Sequence, residues 1–350
     1  MCVVHIIPGI DDPTCGIAVA AKQLIARGVG EDGEVWVHSM WTPLVVKASF
    51  KALLTRKKLV RMPHGCTDPE KLRYHWHKKR WVAPIERWLF RHADRIIATC
   101  EDEVDWIKSF EPKVNRVEIV RLAHKSDRKD SCSAPIVCSG YEQSSKLKLL
   151  YVGRLHPLKG VEYLLQAMPT NCKLVIIGKD EGEGKKLRRI AQRCGLDVEF
   201  KGFVSEAEKE AAYQWCDALV LPTLSENFGL VVAEALERGK RVITTDGSPA
   251  WEEGLELRVE SGGVEELRVG SGGVEELRVE SEIWSGYGGQ LIYLKGYRDG
   301  TPQERVRLLK SAITAYLPNI LHKCDRFDLS PRTNGKSKCS ETRPMGAGRR

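Results

Sequence analysis

Short β-rich runs alternate with amphipathic helical segments along the first third of the chain. Segments such as TCGIAVAAKQLIARG and EDEVDWIKSF have the periodicity of helices. Strands are predicted between and around them, at VVHII (3–7), VWVHS (35–39), KLVRM (58–62), RIIAT (95–99) and VEIV (117–120). This alternation of strands and helices predicts a parallel sheet covered by helices.

A second series of the same kind follows a polar stretch at 122–146, which predicts a linker. Its strands are predicted at KLLYVG (148–153), KLVIIG (173–178), VEFKG (198–202), ALVLP (218–222) and RVITT (241–245). The sequence therefore predicts an α/β protein of two doubly wound, Rossmann-like domains, 1–121 and 147–321, that face a cleft. In such sheets ligands bind at the carboxyl ends of the strands.

Composition places the chain among globular proteins. Its 350 residues exceed one typical core, and they are 42% hydrophobic and 29% charged. No apolar run approaches the roughly 18 residues of a spanning helix, and the N-terminus lacks a signal-peptide pattern. The eleven cysteines are irregularly spaced without a C-x-x-C pair, which argues against a disulfide framework or a zinc ribbon. We expect reduced thiols and a cytoplasmic protein.

The chain has a net charge of +8, and its positive charge is concentrated between Lys47 and Arg91. This segment contains thirteen Lys and Arg but only three Asp and Glu. Aromatic residues are interleaved with these cations: Tyr74, Trp76, Trp81 and Trp88. Such a face suits phosphorylated lipid or an anionic membrane surface. Nucleic acid is an alternative partner, and an ordinary solvated helix face is another reading.

Two cations follow the first strand of the second series. YVGRLHPLKGVEYLLQAM runs from a strand through Arg154 and Lys159 into a helix. A planar guanidinium and an ammonium at the carboxyl edge of a sheet suit a diphosphate and could neutralise it as a leaving group. A merely solvated basic loop is the alternative.

The stretch LSENFGLVVAEAL (224–236) places two glutamates around a predicted helix start. Glu226 precedes the helix, which we expect to begin near Phe228 or Gly229 and to end at Gly239. Free backbone N–H groups near Gly229 would bind phosphate. Glu234 could reach back toward a ligand there and bind a ribose diol. Alternatively, it belongs to an exposed stripe and pairs with Arg238.

Together these motifs resemble the family 4 retaining glycosyltransferases of GT-B fold, over about residues 148–251 and more loosely over 1–120. The E-x7-E motif of that family corresponds to Glu226 and Glu234. The resemblance implies that Arg154 and Lys159 bind the donor diphosphate, Glu226 the transferred sugar and Glu234 the ribose. It also implies that the segment after Glu226 completes the donor site: Asn227, Phe228, Gly229 and Leu230. The backbone of Phe228 to Leu230 would bind the phosphate.

The first domain carries two further matches to this family. MPHG (62–65) follows a strand, and His64 stands where the family often has a histidine beside the reacting sugar. Gly16, at the start of the first helix, matches a glycine-rich loop near the donor phosphate. WVHSMWTP, the segment from MPHG to RIIAT, and DGSPAWE resemble bacterial transferases of lipopolysaccharide or other surface glycans. A strand-end histidine without catalytic role is the alternative for His64.

Three features depart from the family pattern. Only GVGEDG separates the first helix from EVWVHS, so the first domain is predicted to be shortened. A ten-residue unit repeats as SGGVEELRVG and SGGVEELRVE within 254–280, which predicts an expanded loop, either a β-hairpin or disordered. The polar, basic tail at 322–350 is predicted to be disordered.

The resemblance implies transfer of a sugar, with retention, from a nucleotide-diphosphate sugar to a hydroxyl of a glycan or glycolipid. No D-x-D motif follows an apolar strand, so we expect neither metal nor another cofactor. The protein would act at the inner membrane surface, and we expect it to bind no nucleic acid. Two alternatives stay open: a degenerate relative that binds nucleotide without turnover, and a basic nucleic-acid-binding protein, whose affinity would fall steeply with salt.

Overall fold

The computed structural model describes residues 3–12, 15–114, 116–122, 146–249, 251, 265–268, 278–283 and 290–316. These residues form two α/β units, one built on a sheet of five strands and the other on a sheet of eight. The α/β class and the two predicted series of parallel strands are confirmed, although the second sheet also carries antiparallel strands at one edge. The predicted bounds of the domains stay predictions. No helix among the described residues is both long and apolar enough to cross a membrane.

The first sheet is parallel, and its strands follow chain order. They are β1 (Val4–Ile6), β2 (Glu34–His38), β3 (Lys58–Met62), β4 (Arg95–Ala98) and β5 (Val117–Ile119). The helices are α1 (Gly16–Ala26), α2 (Pro43–Leu54), α3 (Pro69–Arg73), α4 (Trp76–His92) and α5 (Glu101–Phe110). All five predicted strands are present, because short runs rich in β-branched residues mark strands that helices cover on both faces.

Helix α1 lies on the opposite face of this sheet from α2. Leu24 of α1 packs with Trp36 and Val60, whereas Val45 of α2 packs with Val37. The chain moves in the same direction across the sheet from β1 to β2 and from β2 to β3, but the connecting helices lie on opposite faces, so the two crossovers have opposite hands. The crossover through α1 differs from the others, because α2, α4 and α5 lie on one face. Left-handed crossovers are rare, and this one would result if a strand-helix-strand unit were lost after α1. The shortening itself stays a prediction.

The second sheet is larger and mixed. Its strands are β6 (Leu147–Val152), β7 (Cys172–Ile177), β8 (Asp197–Gly202), β9 (Ala218–Val220), β10 (Arg241–Thr245), β11 (Glu265–Arg268), β12 (Arg278–Ile283) and β13 (Gln290–Leu294). Its helices are α6 (Val161–Ala167), α7 (Gly184–Arg193), α8 (Glu206–Trp215), α9 (Leu230–Glu237) and α10 (Pro302–Ser311), with a 3-10 turn at Pro157–Lys159 and a π-helical turn at Ala312–Tyr316.

The order of these strands positions a ligand site. Across the sheet they run β11-β12-β13-β10-β9-β6-β7-β8, so the direction of winding reverses between β6 and β9. A crevice opens at such a switch point, beyond the carboxyl ends of the strands. The loops after β6 and β9, which carry the predicted site residues, therefore flank one crevice.

Strands β11 and β12 overlap the predicted repeat. They pair with each other in antiparallel fashion, and β12 pairs with β13, so this segment extends the second sheet at its edge. The rest of the repeat, most of the linker at 122–146 and the tail at 322–350 lie outside the described residues.

Hydrogen bonds join the two units across the cleft. Asp68, fully buried at the start of α3, accepts hydrogen bonds from Ser225 Oγ and from the Arg298 guanidinium of the second unit. Thr99 Oγ1 lies 2.8 Å from Asn227 Oδ1. The loops that carry the candidate site residues are therefore held against the first unit.

Candidate active site in the interdomain cleft

A cleft of about 180 Å³ lies between the two units. Its lining comes from both: Trp41, Cys66, Lys71, Tyr74, Lys79, Arg154, His156, Leu158, Lys159 and Ser225. Four of these side chains are cationic, which makes the cleft a favourable environment for an anion. Sites for small molecules usually have about 300–1,000 Å³, so the cleft must widen to take a ligand of nucleotide-sugar size.

Lys159 and Glu226 form an ion pair in this cleft. Lys159 Nζ lies 2.5 Å from Glu226 Oε2 and 3.2 Å from the Ser225 carbonyl oxygen. The 3-10 turn after β6 carries the lysine, and the loop after β9 carries the glutamate. Burial lowers the pKa of Lys159. For Glu226, burial acts upward, but the charges of Lys159 and Lys71 outweigh it and lower its pKa. Glu226 is therefore ionised at neutral pH, and its charge opposes the effect of burial on Lys159.

Arg154, the other predicted diphosphate ligand, is more exposed. Its Nη1 atom lies 3.0 Å from each carboxylate oxygen of Glu181. Its side chain is 47% exposed at the cleft edge. An exposed ion pair of this kind is weak, so the guanidinium can turn toward a phosphate at little cost.

Helix α9 begins beside Glu226, the partner of Lys159. Gly229 is its N-cap, with φ 67° and ψ 61°, a left-handed conformation that glycine adopts without strain. A Cβ at this position would lie 3.3 Å from Ser248 Oγ. Ser248 Oγ is buried without a hydrogen-bond partner among the described residues. The N–H groups of the first turn of α9 and this hydroxyl together offer donors to an anion.

Phe228 holds the loop before α9 in place. Its carbonyl oxygen accepts a hydrogen bond of 2.5 Å from Trp251 Nε1, and the two rings lie 5.2 Å apart. The side chain packs against the cores of both units. This contact fixes the position of the N-terminus of α9.

Glu234 contacts α8 and does not form the side-chain ion pair with Arg238 that the alternative reading offered. Its Oε2 atom accepts a hydrogen bond of 2.9 Å from Tyr213 Oη, and it lies 3.3 Å from Lys209 Nζ. Arg238 instead pairs with Glu210 and donates to the backbone carbonyl of Glu234. The carboxylate is thus held against α8, and binding of a ribose by Glu234 stays a prediction.

Glu103 anchors the loop that carries His64. It is fully buried and accepts hydrogen bonds from the backbone N–H of Gly65 and from Thr99 Oγ1, the latter at 2.7 Å. Burial raises its pKa, although these hydrogen bonds oppose that effect. Asn227 touches the same cluster through Thr99, so this loop and the loop before α9 are aligned.

His64 lies in this loop with a left-handed backbone, φ 54°. Its side chain is buried, and its Nδ1 atom has no partner among the described residues. Its Nε2 atom lies 2.8 Å from Nδ1 of His38, a contact that the sequence did not predict. Burial, helped by the charge of Lys71, lowers the pKa of His64 to about 3, so the ring is neutral at physiological pH.

Gly16 is not among the residues that line the cleft, whereas a lysine of α3 and one of α4 are. Gly16 starts α1 and is exposed, and a Cβ added there would meet open space. Lys71 and Lys79 line the cleft, where burial lowers the pKa of Lys79. Sequence reasoning missed them because they belong to no motif. Their only signal was their place in the basic segment 47–91. No group of three His, Cys, Asp or Glu suited to a metal occurs in the described part of the chain.

That basic segment forms much of α2 and α4. Nine of its thirteen cations are exposed, whereas Arg61 is fully buried and pairs with Glu86 at 2.8 Å. Trp81 is 73% exposed and Leu54 is 83% exposed. The segment therefore supplies a core ion pair as well as an exposed basic and aromatic face, and the partner of that face stays a prediction.

The chain matches two families by sequence. Residues 4–122 match "Glycosyltransferase Family 4", and residues 140–256 match "Glycosyl transferases group 1". Among curated proteins, an uncharacterized 41.2 kDa protein of the cps region of Klebsiella pneumoniae is 28% identical over 222 residues. That match covers 61% of this chain and 60% of the relative, so the chain spans less than two thirds of its length.

Solved structures show the same fold. WaaG, a glycosyltransferase involved in lipopolysaccharide biosynthesis, has a TM-score of 0.58 at 16% identity, over 93% of this chain and 96% of its own. HepE from Anabaena, solved with UDP and glucose, has a TM-score of 0.52 at 17% identity, over 89% and 80% of the two chains. The two units, the switch-point cleft and both sequence matches lead to one conclusion: the chain belongs to the group 1 and family 4 glycosyltransferases and has the GT-B fold.

Proposed function

We propose that this protein is a retaining glycosyltransferase that moves a hexose from a nucleotide-diphosphate sugar to a hydroxyl of a cell-surface glycan or glycolipid. The observation that carries the proposal is the convergence of donors at the switch point of the second sheet. Arg154 and Lys159 line the cleft, and Glu226, the partner of Lys159, lies next to Gly229 at the start of α9. Ser248 Oγ, without a partner among the described residues, lies on the other side of Gly229, and these groups would together hold a diphosphate.

The chemistry at this position is mainly electrostatic. As the bond between sugar and phosphate breaks, charge grows on the diphosphate, and fixed cations and N–H groups stabilise it. A bound diphosphate would compete with Glu226 for Lys159, which frees a Glu226 oxygen to accept hydrogen bonds from sugar hydroxyls. His64 would face the reacting sugar from the other side of the cleft.

These residues supply the positive charge that a divalent metal often supplies to a diphosphate. We therefore expect transfer to proceed without a metal ion. The UDP bound to HepE and the involvement of WaaG in lipopolysaccharide biosynthesis support a nucleotide donor and a surface-glycan product.

The exposed face of α2 and α4 would hold the enzyme at an anionic membrane surface. Exposed Lys78 and Arg80 flank Trp76 and Trp81, a mixture that suits the boundary between headgroups and acyl chains. A glycolipid acceptor would then reach the cleft from the first unit.

A transfer assay tests the proposed function. The protein is incubated with labelled UDP-, GDP- and ADP-hexoses, with a CMP-sugar as a monophosphate comparison, and with extracted glycolipids and oligosaccharides. We expect label to enter one acceptor class with retained anomeric configuration, also in EDTA. Arg154→Ala should lose transfer, and Arg189→Ala, exposed on α7 outside the cleft, should keep it. Donor binding without transfer would support the degenerate alternative, and an inverted product would refute retention.

A further inference from the structure

Three histidines form a hydrogen-bonded row across the first sheet. His5 Nδ1 lies 3.0 Å from His38 Nε2, and His38 Nδ1 lies 2.8 Å from His64 Nε2. Neighbouring rings meet edge to edge, with centroids 5.3 Å and 5.1 Å apart and planes inclined by 24° and 27°. His5 lies on β1, His38 ends β2 and His64 follows β3, so adjacent parallel strands bring the three rings together.

The two ends of the row differ in their surroundings. His64 is buried in the loop beside the cleft, and its Nδ1 atom has no partner among the described residues. His5 is partly exposed on the edge strand β1. His38, between them, is fully buried. The row therefore connects a buried, unpartnered ring nitrogen, in the loop whose Cys66 lines the cleft, to the partly exposed edge of the sheet.

The rings in the row are neutral at physiological pH. Burial, with the neighbouring histidines, lowers the pKa of His38 to about 2, and burial with Lys71 lowers that of His64 to about 3. Burial also lowers the pKa of His5, although the charge of Glu34 opposes it. A neutral imidazole has one donor and one acceptor. The row consequently has two arrangements, in which His64 Nδ1 either accepts or donates.

Building on the proposed glycosyl transfer, we propose that His5, His38 and His64 form a proton relay that carries the proton of the acceptor hydroxyl out of the cleft. The hydroxyl oxygen bonds to the anomeric carbon while the bond from that carbon to the phosphate oxygen breaks, and its electron pair stays on the nucleoside diphosphate. The hydroxyl proton passes to His64 Nδ1.

The remaining protons then shift along the row. The Nε2 proton of His64 passes to His38 Nδ1, the Nε2 proton of His38 passes to His5 Nδ1, and His5 releases its Nε2 proton to water. Exchange with water at both ends restores the first arrangement after the products leave. No ring becomes a stable imidazolium, which explains how a histidine in so buried a site can accept a proton.

Substitution of His38 separates a relay from a structural contact. His38→Gln keeps one donor and one acceptor but cannot exchange them, and His38→Phe removes both. We expect each variant to keep the melting temperature of the wild type and to keep KM for the donor within about twofold. Its kcat should fall at least about 100-fold, as in other enzymes that lose a proton transfer. The solvent deuterium isotope effect on wild-type kcat should arise from several protons, and it should fall in both variants.

A direct measurement on the full-length wild type accompanies the kinetics. With ¹⁵N-labelled histidine, scalar coupling across N–H···N hydrogen bonds should link His5 to His38 and His38 to His64. Absence of these couplings would overturn the proposal. A kcat of His38→Gln equal to that of the wild type would also overturn it. His38 would then only position His64, and the acceptor proton would pass directly to the leaving phosphate. Failure of the proposed function looks different, since the wild type itself would then release no nucleoside diphosphate.

Discussion

Lys159 Nζ lies 2.5 Å from Glu226 Oε2, and this ion pair joins the two loops that flank the switch point of the second sheet. The lysine is predicted to bind the donor diphosphate and the glutamate the transferred sugar. The protein therefore holds one positive and one negative group side by side, an arrangement that would suit the adjacent phosphate and hydroxyl groups of the proposed donor.

The pair makes stability depend on pH in a defined direction. The pKa of Glu226 lies below its ordinary value of 4.5, so its contribution is present above about pH 4.5 and is lost as pH falls through the lowered value. The free energy of unfolding of the wild type should exceed that of Glu226→Gln at pH 7, and the gap should close as the pH falls below 4.5. Chemical denaturation over this range measures it. A gap that does not change with pH would contradict the pairing.

Gly229 should be needed for both conformation and binding. Gly229→Ala places a Cβ at φ 67° and 3.3 Å from Ser248 Oγ. We expect a loss of about 1–2 kcal/mol in stability, the usual cost of a left-handed residue, and at least tenfold weaker nucleotide binding by calorimetry.

Gly195→Ala is the matched control for this change. Gly195 has φ 60° and open space around it, and it lies outside the cleft lining, so its replacement should cost similar stability and leave binding unchanged. Equal loss of binding in both variants would mean that backbone strain, and not a lost contact with the nucleotide at Gly229, weakens binding.

The hydrogen bonds of Asp68 should control how far the cleft opens. Arg298 donates to Asp68, and its guanidinium lies 5.2 Å from the centre of the Trp106 ring. Arg298→Gln weakens this link, so small-angle X-ray scattering without ligand should show a larger radius of gyration than in the wild type. Arg189→Gln, outside the cleft, should not change it. Identical scattering of Arg298→Gln and wild type would show that other contacts hold the cleft.

Strand positions and the loop before α9 could be predicted because hydrophobic patterns and glycine positions are local signals. Glu226, Lys159 and Gly229 accordingly lie where the sequence placed them. The pairing of Glu234 with Tyr213 could not be predicted, since the pattern gives the face of α9 but not the neighbour that covers it. The links from Asp68 to Arg298 and from His38 to His64 join distant segments, which no spacing in the sequence indicates.

The basic face of α2 and α4 should bind anionic membranes. At low salt the wild type should sediment with phosphatidylglycerol vesicles and not with phosphatidylcholine vesicles. Trp81→Ala should weaken this binding severalfold, because Trp81 is 73% exposed on that face. Phe203→Ala provides the control, since Phe203 is 59% exposed on the second unit. No binding by the wild type would refute the membrane proposal.

The central claim is that the crevice between β6 and β9 binds a nucleotide-diphosphate sugar. A thermal-shift screen with UDP, GDP, ADP, CMP and their sugar conjugates tests it most directly, because a ligand that binds the native state raises the melting temperature. We predict a rise of several degrees with one diphosphate family, lost in Arg154→Ala and Lys159→Gln and kept in Arg189→Ala. A wild type that responds to none of these ligands, or an equal rise in Lys159→Gln, would contradict the account.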